Sequence, residues 1–212
     1  MITALLHTDG DEVLEITSDT WRNVISQRGY RAFIFDCDGT LVESSEVHFQ
    51  SFSQAISEQG QALDRDWYLE RTGLDRVSLF KEFSAVMQPL DIELACKRSI
   101  EAFVAISDKV VAIQDTKSLV EALSKVGPMA VGTNAERPVA EASLQATGLR
   151  EYFDHIVAIS DGLPPKPAPD IFLRAANLLL SDHGVLVIED SVQGVAAAKA
   201  GGFDVIQLLS VG

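Results

Sequence analysis

Cysteine is almost absent from this sequence. Its 212 residues include two cysteines, Cys37 and Cys96, which are too few for a disulfide framework. Long apolar runs are also missing, because no stretch approaches the roughly 20 residues that a membrane-spanning helix needs. Residues 1–7 lack the basic segment and the apolar run of a secretory signal peptide. We therefore expect a cytoplasmic protein with no membrane partner.

Positive charge is scarce as well. Lys and Arg number 17 against 31 Asp and Glu, which gives a net charge of −14. Nucleic acids and anionic membrane surfaces are held mainly by Lys and Arg, so this balance argues against both as partners. The glycine patterns of a P-loop and of a dinucleotide-binding turn are absent too. A phosphate ester, if it is the ligand, must be attracted by a few local cations or a metal ion.

The remaining composition is that of an ordinary globular protein, with 47% apolar and 23% charged residues. The length suits one domain with a substantial insertion, or two small domains. Helical periodicity fills residues 44–109, with Gly73 and Pro89 as breaks, whereas strands and helices alternate before and after that block. Strands are predicted at 13–16, 32–35, 128–132, 155–159, 185–188 and 205–209. Alternating strands and helices predict a parallel sheet with right-handed crossovers.

The most informative motif is Asp36–Thr40 (DCDGT), which follows the short apolar strand at 32–35. At ~4 Å and an effective dielectric constant of ~20, two carboxylates repel each other by about 4 kcal/mol. A pair of aspartates at the tip of a core strand therefore indicates a bound cation, a shared proton or both. An EF-hand does not fit, because position twelve from Asp36 is Val47 rather than glutamate. Cys37 lies between the aspartates, and we interpret it as a buried, inert thiol rather than a reactive one.

Three further motifs end or follow predicted strands. Thr133 closes the strand at 128–132, Lys166 lies in the proline-rich run KPAPD, and Glu189–Asp190 follow the strand at 185–188. In open parallel sheets, ligands bind beyond the carboxyl ends of the strands. The four motifs are therefore expected to meet at one edge of the sheet. Taken singly, each has an ordinary alternative: Thr133 as a turn residue, Lys166 as a solvated lysine, and Glu189–Asp190 as an N-cap for the helix beginning near Val192.

Together, in this order, the four motifs resemble those of the haloacid dehalogenase-like (HAD) phosphohydrolases. The resemblance covers the chain from Asp36 to Gly202, and the branch it is most similar to contains β-phosphoglucomutases and sugar-phosphate phosphatases of the fructose-1-phosphate type. It implies an α/β fold, a three-layer Rossmann-like core with a parallel sheet, plus a small inserted all-helical cap. The expected domains are 1–43 (N-terminal extension and first core strand), 44–112 (helical cap) and 113–212 (the rest of the core). Residues 1–30 are interpreted as an extra edge element, with a regulatory or dimer-forming arm as the alternative.

The resemblance also implies a division of catalytic labour. Asp36 is the candidate nucleophile that forms an aspartyl-phosphate, and Asp38 is the candidate acid and base for the leaving group and the attacking water. Thr133 is expected to donate its hydroxyl to a phosphoryl oxygen, with Asn134 beside it as a further substrate-binding residue. Lys166, stiffened by neighbouring prolines, is expected to contact both phosphate and Asp36. Both aspartates acting simply as metal ligands is the alternative.

Magnesium is the expected cofactor, since carboxylate oxygens are hard ligands that suit an octahedral site. The candidate metal ligands are Asp36, Asp190, Glu189 and, by resemblance, the backbone carbonyl of Asp38. In the predicted cap, the run 73–76 resembles a substrate-specificity loop that ends in an arginine, here Arg76. By the same resemblance, three cap residues are candidates for substrate binding: Arg76, His48 and Ser44. The alternative for Arg76 is a solvated surface arginine, and the alternative for His48 is a histidine packed on a helix face.

The predicted function is magnesium-dependent hydrolysis of a small phosphate monoester of the sugar-phosphate class. The phosphatase is expected to act as a monomer or weak homodimer. A β-phosphoglucomutase-like phosphomutase is the first alternative. Those mutases carry a lysine soon after the second-motif hydroxyl residue, where this chain has Glu136 followed by Arg137. A non-catalytic binding protein of the same fold is the second alternative.

Overall fold

The computed structural model describes residues 1–8, 12–72, 74–181 and 184–209. It divides into two compact units, the first formed by Met1–Glu43 with Val111–Gly212 and the second by Ser44–Val110. The sequence placed the corresponding helical insertion at 44–112. Among the described residues, no helix is both long enough and apolar enough to cross a membrane.

The first unit is built around one sheet. Its strands, in chain order, are β1 (Thr3–His7), β2 (Val13–Thr17), β3 (Ala32–Phe35), β4 (Val42–Glu43), β5 (Val111–Ala112), β6 (Met129–Thr133), β7 (His155–Ala158), β8 (Val185–Glu189) and β9 (Asp204–Leu208). Within the described residues, seven of them form a sheet in the order β2-β1-β9-β8-β3-β6-β7, while β4 and β5 pair separately. The five strands from β9 to β7 run parallel to one another. The central strand β3 thus lies between β8 and β6.

The N-terminal residues make the sheet mixed rather than wholly parallel. β1 pairs antiparallel with both β2 and β9, so a hairpin extends the sheet beyond β9. The sequence indicated β2 but not β1, because Thr3–His7 is short and three of its five side chains are only partly buried. A hairpin needs no crossover helix, which explains how two strands fit before α1 (Trp21–Arg28). The predicted parallel sheet is confirmed for the core strands, and residues 1–30 contribute an extra edge element, as interpreted, whose strands pair antiparallel.

Helices cover both faces of the sheet. All four side chains of β3 are buried, as are all five of β8, and such strands are found in sheets with two covered faces. On one face, Ala32 and Ile34 pack against residues of α8 (Asp170–Leu178) and α9 (Val192–Ala200). The alternate residues Phe33 and Phe35 point to the other face. The remaining helices of this unit are α6 (Gln114–Leu123) and α7 (Arg137–Ala146).

The second unit is entirely helical in its described residues. It contains α2 (Ser45–Ser57), α3 (Arg65–Leu69), α4 (Arg76–Val86) and α5 (Ile92–Ala105). Aspartate side chains at 64, 75 and 91 accept a hydrogen bond from the third residue of α3, α4 and α5 respectively, which fixes where these helices begin. Pro89 separates α4 from α5 as predicted, and Gly73 lies outside the described residues. An apolar core of its own, around Phe52, Phe80 and Phe83, holds this unit together.

Candidate active site

Three of the four motifs meet because their strands are neighbours in the sheet. β3 pairs with β8 on one side and β6 on the other, with Phe35 opposite Ile188. Asp36 continues this pairing, since its backbone N–H donates to the carbonyl of Ile188 at 2.9 Å. Thr133 is the last residue of β6 and Glu189 is the last residue of β8. The motif residues therefore lie at one edge of the parallel strands, where ligands bind in such sheets.

Lys166 joins this group from the loop before α8. Its ammonium donates to Asp36 Oδ1 at 2.5 Å and to Glu189 Oε1 at 2.8 Å. The side chains of Lys166 and Glu189 are only 3% and 1% exposed. The ammonium also lies 4.5 Å from the centre of the Phe172 ring. The interpretation of Lys166 as a solvated surface lysine is therefore wrong: it is a buried cation that links two motif carboxylates.

The charges of this cluster are strongly coupled. Burial raises the pKa of the Asp36 carboxyl well above its usual range; Lys166 opposes this shift, while Glu189 and Asp190 add to it. Burial lowers the pKa of Lys166, but the Asp36 and Glu189 carboxylates outweigh that effect and raise it, so the amine stays charged. Burial, followed by the charge of Glu189, raises the pKa of Asp190 to about 6. A second cation near these carboxylates would favour their ionised forms.

The donor set fits a divalent metal ion. Asp36, Glu189 and Asp190 each offer a carboxylate oxygen, and these oxygens lie within 4.8 Å of one another. Three hard oxygen donors at this spacing suit Mg²⁺. Within the described residues, the side chain of Asp38 does not belong to this group. The resemblance assigned Asp38 to the metal through its backbone carbonyl rather than its side chain.

Asp190 is positioned by the turn after Asp38. Thr40 Oγ1 donates to Asp190 Oδ1 at 2.8 Å. Gly39 has φ +84°, and a Cβ there would lie 2.3 Å from Asp190 Oδ2. A side chain at position 39 would be strained and would displace the carboxylate. The glycine and the threonine of the DCDGT motif therefore both serve to place Asp190.

Glu189 is fixed by the start of α9. Its Oε2 accepts the Ser191 backbone N–H at 2.5 Å, and a Cβ on Gly194 would lie 1.8 Å from Oε1. The N-cap of α9 is Ser191, whose hydroxyl accepts the Gly194 N–H at 3.0 Å. The interpretation of Glu189–Asp190 as the N-cap is therefore wrong. Since both oxygens of Glu189 already have donors, Asp36 and Asp190 are the stronger candidates for direct metal ligands.

The loop after β6 is tied to the loop that carries Lys166. Thr133 is 2% exposed, and its Oγ1 accepts the Ala135 backbone N–H at 3.0 Å. The Asn134 side chain contacts Lys166 on both sides of its backbone: Oδ1 accepts the Lys166 N–H at 2.9 Å, and Nδ2 lies 3.5 Å from the Lys166 carbonyl oxygen. Thr133 at a strand end thus forms a local turn contact within the same cluster.

Cys37 is a buried thiol, as predicted. It is fully buried as a free thiol. Burial raises the pKa of this thiol well above its usual value, and the neighbouring Asp38 and Asp36 charges raise it further. A protonated, buried thiol is a poor nucleophile, so its contribution is packing.

The cap candidates lie in the helical unit. Arg76 is 6% exposed, so it is not a solvated surface arginine. Its guanidinium donates to Ser99 Oγ at 2.8 Å and lies 4.7 Å from the centre of the Phe52 ring. The His48 ring also approaches Phe52, at 6.4 Å between ring centres. Ser44 is buried just before α2. Arg76 and His48 therefore share one aromatic neighbour inside this unit.

Sequence reasoning gave no role to three residues that shape the site. Thr40 was quoted within the first motif, and its hydroxyl could have been recognised as a donor to a nearby carboxylate. Gly194 stands five residues after Glu189 in an otherwise helical run, where an isolated glycine indicates a close approach. Phe172 had no local signal, because an aromatic residue on an amphipathic helix is usually part of the core.

Comparison with known proteins agrees with this site. Residues 30–202 match the haloacid dehalogenase-like hydrolase family. Fructose-1-phosphate phosphatase YqaB of Escherichia coli K12 is 30% identical over 181 residues, covering 84% of this chain and 96% of that protein. CbbY of Rhodobacter capsulatus is 33% identical, covering 83% and 84% respectively. The crystal structure of Rhodobacter sphaeroides CbbY with phosphate superposes with a TM-score of 0.76 at 29% identity, covering 83% of this chain and 84% of that one. With the motif residues assembled at the strand ends and the match spanning both units, the chain belongs to the haloacid dehalogenase-like hydrolase family.

Proposed function

We propose that this protein is a magnesium-dependent phosphatase that hydrolyses a small sugar phosphate through an aspartyl-phosphate on Asp36. The observation that carries the proposal is the buried Lys166 ammonium, which contacts Asp36 Oδ1 at 2.5 Å and Glu189 Oε1 at 2.8 Å beside Asp190. A surface acidic patch would not bury a lysine among its carboxylates. The Lys166 charge orients the Asp36 carboxyl and opposes the rise that burial causes in its pKa, while offering positive charge to an incoming phosphoryl group.

In the first step, a carboxylate oxygen of Asp36 attacks phosphorus, and the bond from phosphorus to the sugar oxygen breaks. Asp38 gives its proton to the leaving sugar oxygen. Lys166 supports this step because its charge favours the ionised form of Asp36, against the effect of burial. Thr133 Oγ1 accepts the Ala135 N–H, and its own O–H is suited to donate to a phosphoryl oxygen.

In the second step, water replaces the enzyme oxygen on phosphorus. Asp38, now ionised, takes a proton from the water as it attacks, and the bond from Asp36 to phosphorus breaks to release inorganic phosphate. Asp36 and Asp38 return to their starting protonation states. The same residue acting first as acid and then as base explains why two aspartates are needed two residues apart.

Asp36 and Asp190 would hold Mg²⁺, with Glu189 and the backbone carbonyl of Asp38 completing the protein ligands. When bound, the ion offsets the carboxylate charges and polarises the phosphoryl group. The raised pKa values of Asp36 and Asp190 support a cation at this position, because crowded buried carboxylates resist ionisation without one.

The substrate class rests on the relatives and on the helical unit. YqaB is named as a fructose-1-phosphate phosphatase, which supports a phosphorylated sugar as the ligand here. Arg76, His48 and Ser44 are the proposed contacts for the rest of the substrate. A guanidinium offers several donors to hydroxyl or anionic groups.

Phosphatase is favoured over phosphomutase by the position of Arg137. Its guanidinium binds Asp161 at 2.7 and 2.8 Å and the Ile156 carbonyl at 2.8 Å. The cation nearest to the place of the mutase lysine is thus engaged with β7 and the turn after it. Because Arg137 is engaged in this way, we expect water rather than a second sugar hydroxyl to be the acceptor.

The test is a phosphate-release assay with MgCl₂ over hexose 1- and 6-phosphates, ketopentose bisphosphates, phosphoglycolate, nucleoside monophosphates and 4-nitrophenyl phosphate. We expect magnesium-dependent release that is fastest with a sugar phosphate. Asp36→Asn should lower kcat by at least about 1,000-fold, whereas Asp19→Asn, a matched change at an exposed aspartate, should not. Acid quenching during turnover should trap one phosphoryl group on the peptide containing Asp36.

Three results would overturn the proposal. Conversion of β-glucose 1-phosphate into glucose 6-phosphate without free phosphate would establish a mutase. Equal turnover by the Asp36→Asn variant would remove the nucleophile assignment, and absence of turnover on every substrate would favour the non-catalytic alternative.

A further inference from the structure

The backbone of Lys166 lies in a segment with very few hydrogen-bond donors. Residues 164, 165 and 167 are prolines, which have no backbone N–H. The Lys166 N–H is therefore the one backbone donor in 164–167. A loop with a single donor can be fixed by hydrogen bonding through that donor and through its carbonyl oxygens.

The Asn134 side chain accepts a hydrogen bond from this donor. Its Oδ1 accepts the Lys166 N–H at 2.9 Å, and its Nδ2 lies 3.5 Å from the Lys166 carbonyl oxygen. The shorter contact is a normal hydrogen bond and the longer one is weak. One side chain therefore contacts both polar groups of the residue whose ammonium bridges Asp36 and Glu189.

The loop that carries Asn134 is itself well fixed. The Ile159 N–H donates to the Ala135 carbonyl at 3.3 Å, and the Arg137 N–H donates to Ser160 Oγ at 3.0 Å. The Arg137 guanidinium donates a hydrogen bond to the Asp161 carboxylate. Burial acts to raise the pKa of Asp161, but this hydrogen bond contributes to a net lowering. These contacts join the loop after β6 to the turn after β7, which leads to residue 166.

We propose that Asn134 is a positioning residue that acts through Lys166: its side chain holds the Lys166 backbone so that the ammonium reaches Asp36 and Glu189. This inference rests on the proposed function for its kinetic consequences, but the contact itself does not. It changes the expected role of Asn134, because the side-chain amide is committed to Lys166 rather than to the substrate phosphate.

Two substitutions separate these roles. Asn134→Asp keeps an oxygen acceptor for the Lys166 N–H and adds negative charge, whereas Asn134→Ala removes both contacts. If Asn134 positions Lys166, the aspartate variant retains more kcat than the alanine variant, which should lose about 10- to 100-fold, the cost of misplacing a catalytic group by about 1 Å. If the amide binds the phosphate dianion directly, the order reverses, because a carboxylate repels it. Asn23→Asp and Asn23→Ala, at an exposed asparagine on α1, are the matched controls.

A double-mutant cycle with Lys166→Met tests the same point. With 4-nitrophenyl phosphate, Asn134→Ala should have little further effect on kcat/KM once Lys166 is Met, because its effect is transmitted through the ammonium. Losses that multiply would show that Asn134 acts independently of Lys166 and would overturn the proposal.

A readout without turnover keeps the inference separate from the proposed function. In protein labelled with ¹⁵N-lysine, the Lys166 amide, identified by its loss in Lys166→Met, should exchange with solvent at least about 10-fold faster in Asn134→Ala than in the wild type or Asn134→Asp. Unchanged exchange in a folded Asn134→Ala variant would refute the positioning role. Faster exchange in a protein with no phosphatase activity would support the contact while the proposed function fails.

Discussion

Removing the charge of Asp190 should stabilise the metal-free protein. Burial and the Glu189 charge raise the pKa of Asp190 from 3.8 to about 6, so the ionised carboxylate is disfavoured in the folded state. At about 1.4 kcal/mol per pKa unit, ionising it costs about 3 kcal/mol of stability. Asparagine keeps an oxygen acceptor for the Thr40 hydroxyl and carries no charge. We therefore expect Asp190→Asn to be more stable than the wild type at pH 8 in EDTA by up to about 3 kcal/mol, or roughly 6–12 °C in Tm.

The sign of the pH dependence follows from the direction of the shift. Because the folded-state pKa lies above the unfolded one, the protonated carboxyl contributes stability that is present at low pH and lost as the pH rises through about 6. The asparagine side chain does not titrate, so it contributes no pH dependence to the stability over this range. The advantage of Asp190→Asn should therefore shrink by about half between pH 8 and pH 5, a range that stays above the isoelectric point of about 4.6.

The assay is thermal unfolding followed by circular dichroism in EDTA at pH 5, 6, 7 and 8. Asp19→Asn is the control, since it removes one exposed negative charge and should shift stability by no more than about 0.5 kcal/mol at any pH. Adding MgCl₂ should raise the Tm of the wild type and of the control but not that of Asp190→Asn. A less stable Asp190→Asn variant at pH 8 in EDTA, or an advantage that does not change with pH, would refute the reasoning.

Three further substitutions test other contacts of the site. Thr40→Val removes the hydroxyl that donates to Asp190 at 2.8 Å. Because a hydrogen bond to a charged group is worth roughly 1.5–3 kcal/mol, the Mg²⁺ affinity, measured by titrating phosphatase activity, should fall roughly 10-fold or more. Unchanged affinity would exclude this role of Thr40. Gly194→Ala should abolish activity and lower the Tm, because its Cβ would lie 1.8 Å from Glu189 Oε1. This effect should outweigh the helix propensity of alanine, which exceeds that of glycine by about 1 kcal/mol. A higher Tm with normal activity would contradict the prediction. Phe172→Leu keeps an apolar side chain but removes the ring whose centre lies 4.5 Å from the Lys166 ammonium. Loss of a cation–π interaction of roughly 0.5–2 kcal/mol predicts a kcat about 2- to 30-fold lower. A wild-type kcat would show that the ring contributes only packing.

The core of the fold was predictable because its signals are local. The strand Ala32–Phe35 is a run of apolar residues bounded by Arg31 and the acidic motif, and the structure gives it the predicted bounds. Three helices of the second unit, α3, α4 and α5, begin after aspartates whose capping role depends on the next three residues alone. The hairpin strand Thr3–His7 was missed because it is short and because one of its two partners, β9, lies about 200 residues later.

The site was predictable in its residues but not in its contacts. Strand-end placement was enough to expect Asp36, Thr133 and Glu189 at one edge, since the ends of parallel strands coincide. The contact of Asn134 with Lys166 joins residues 32 positions apart through a side chain, and no spacing rule anticipates it. The burial of Arg76 against Phe52 likewise depends on how α2 and α4 pack, which periodicity alone does not determine.

The net charge of the buried cluster favours binding of a divalent cation. Asp36, Glu189 and Asp190, if ionised, face the single ammonium of Lys166, which leaves two uncompensated negative charges in a buried group. The protein as a whole carries a net charge of −14, so neither the site nor the wider surface would attract a phosphate dianion. A monovalent ion would leave the cluster negative, whereas a divalent one cancels its charge and allows the carboxylates to ionise. In the proposed reaction, a divalent ion that favours the ionised form of Asp36 would therefore also allow the phosphate to approach it.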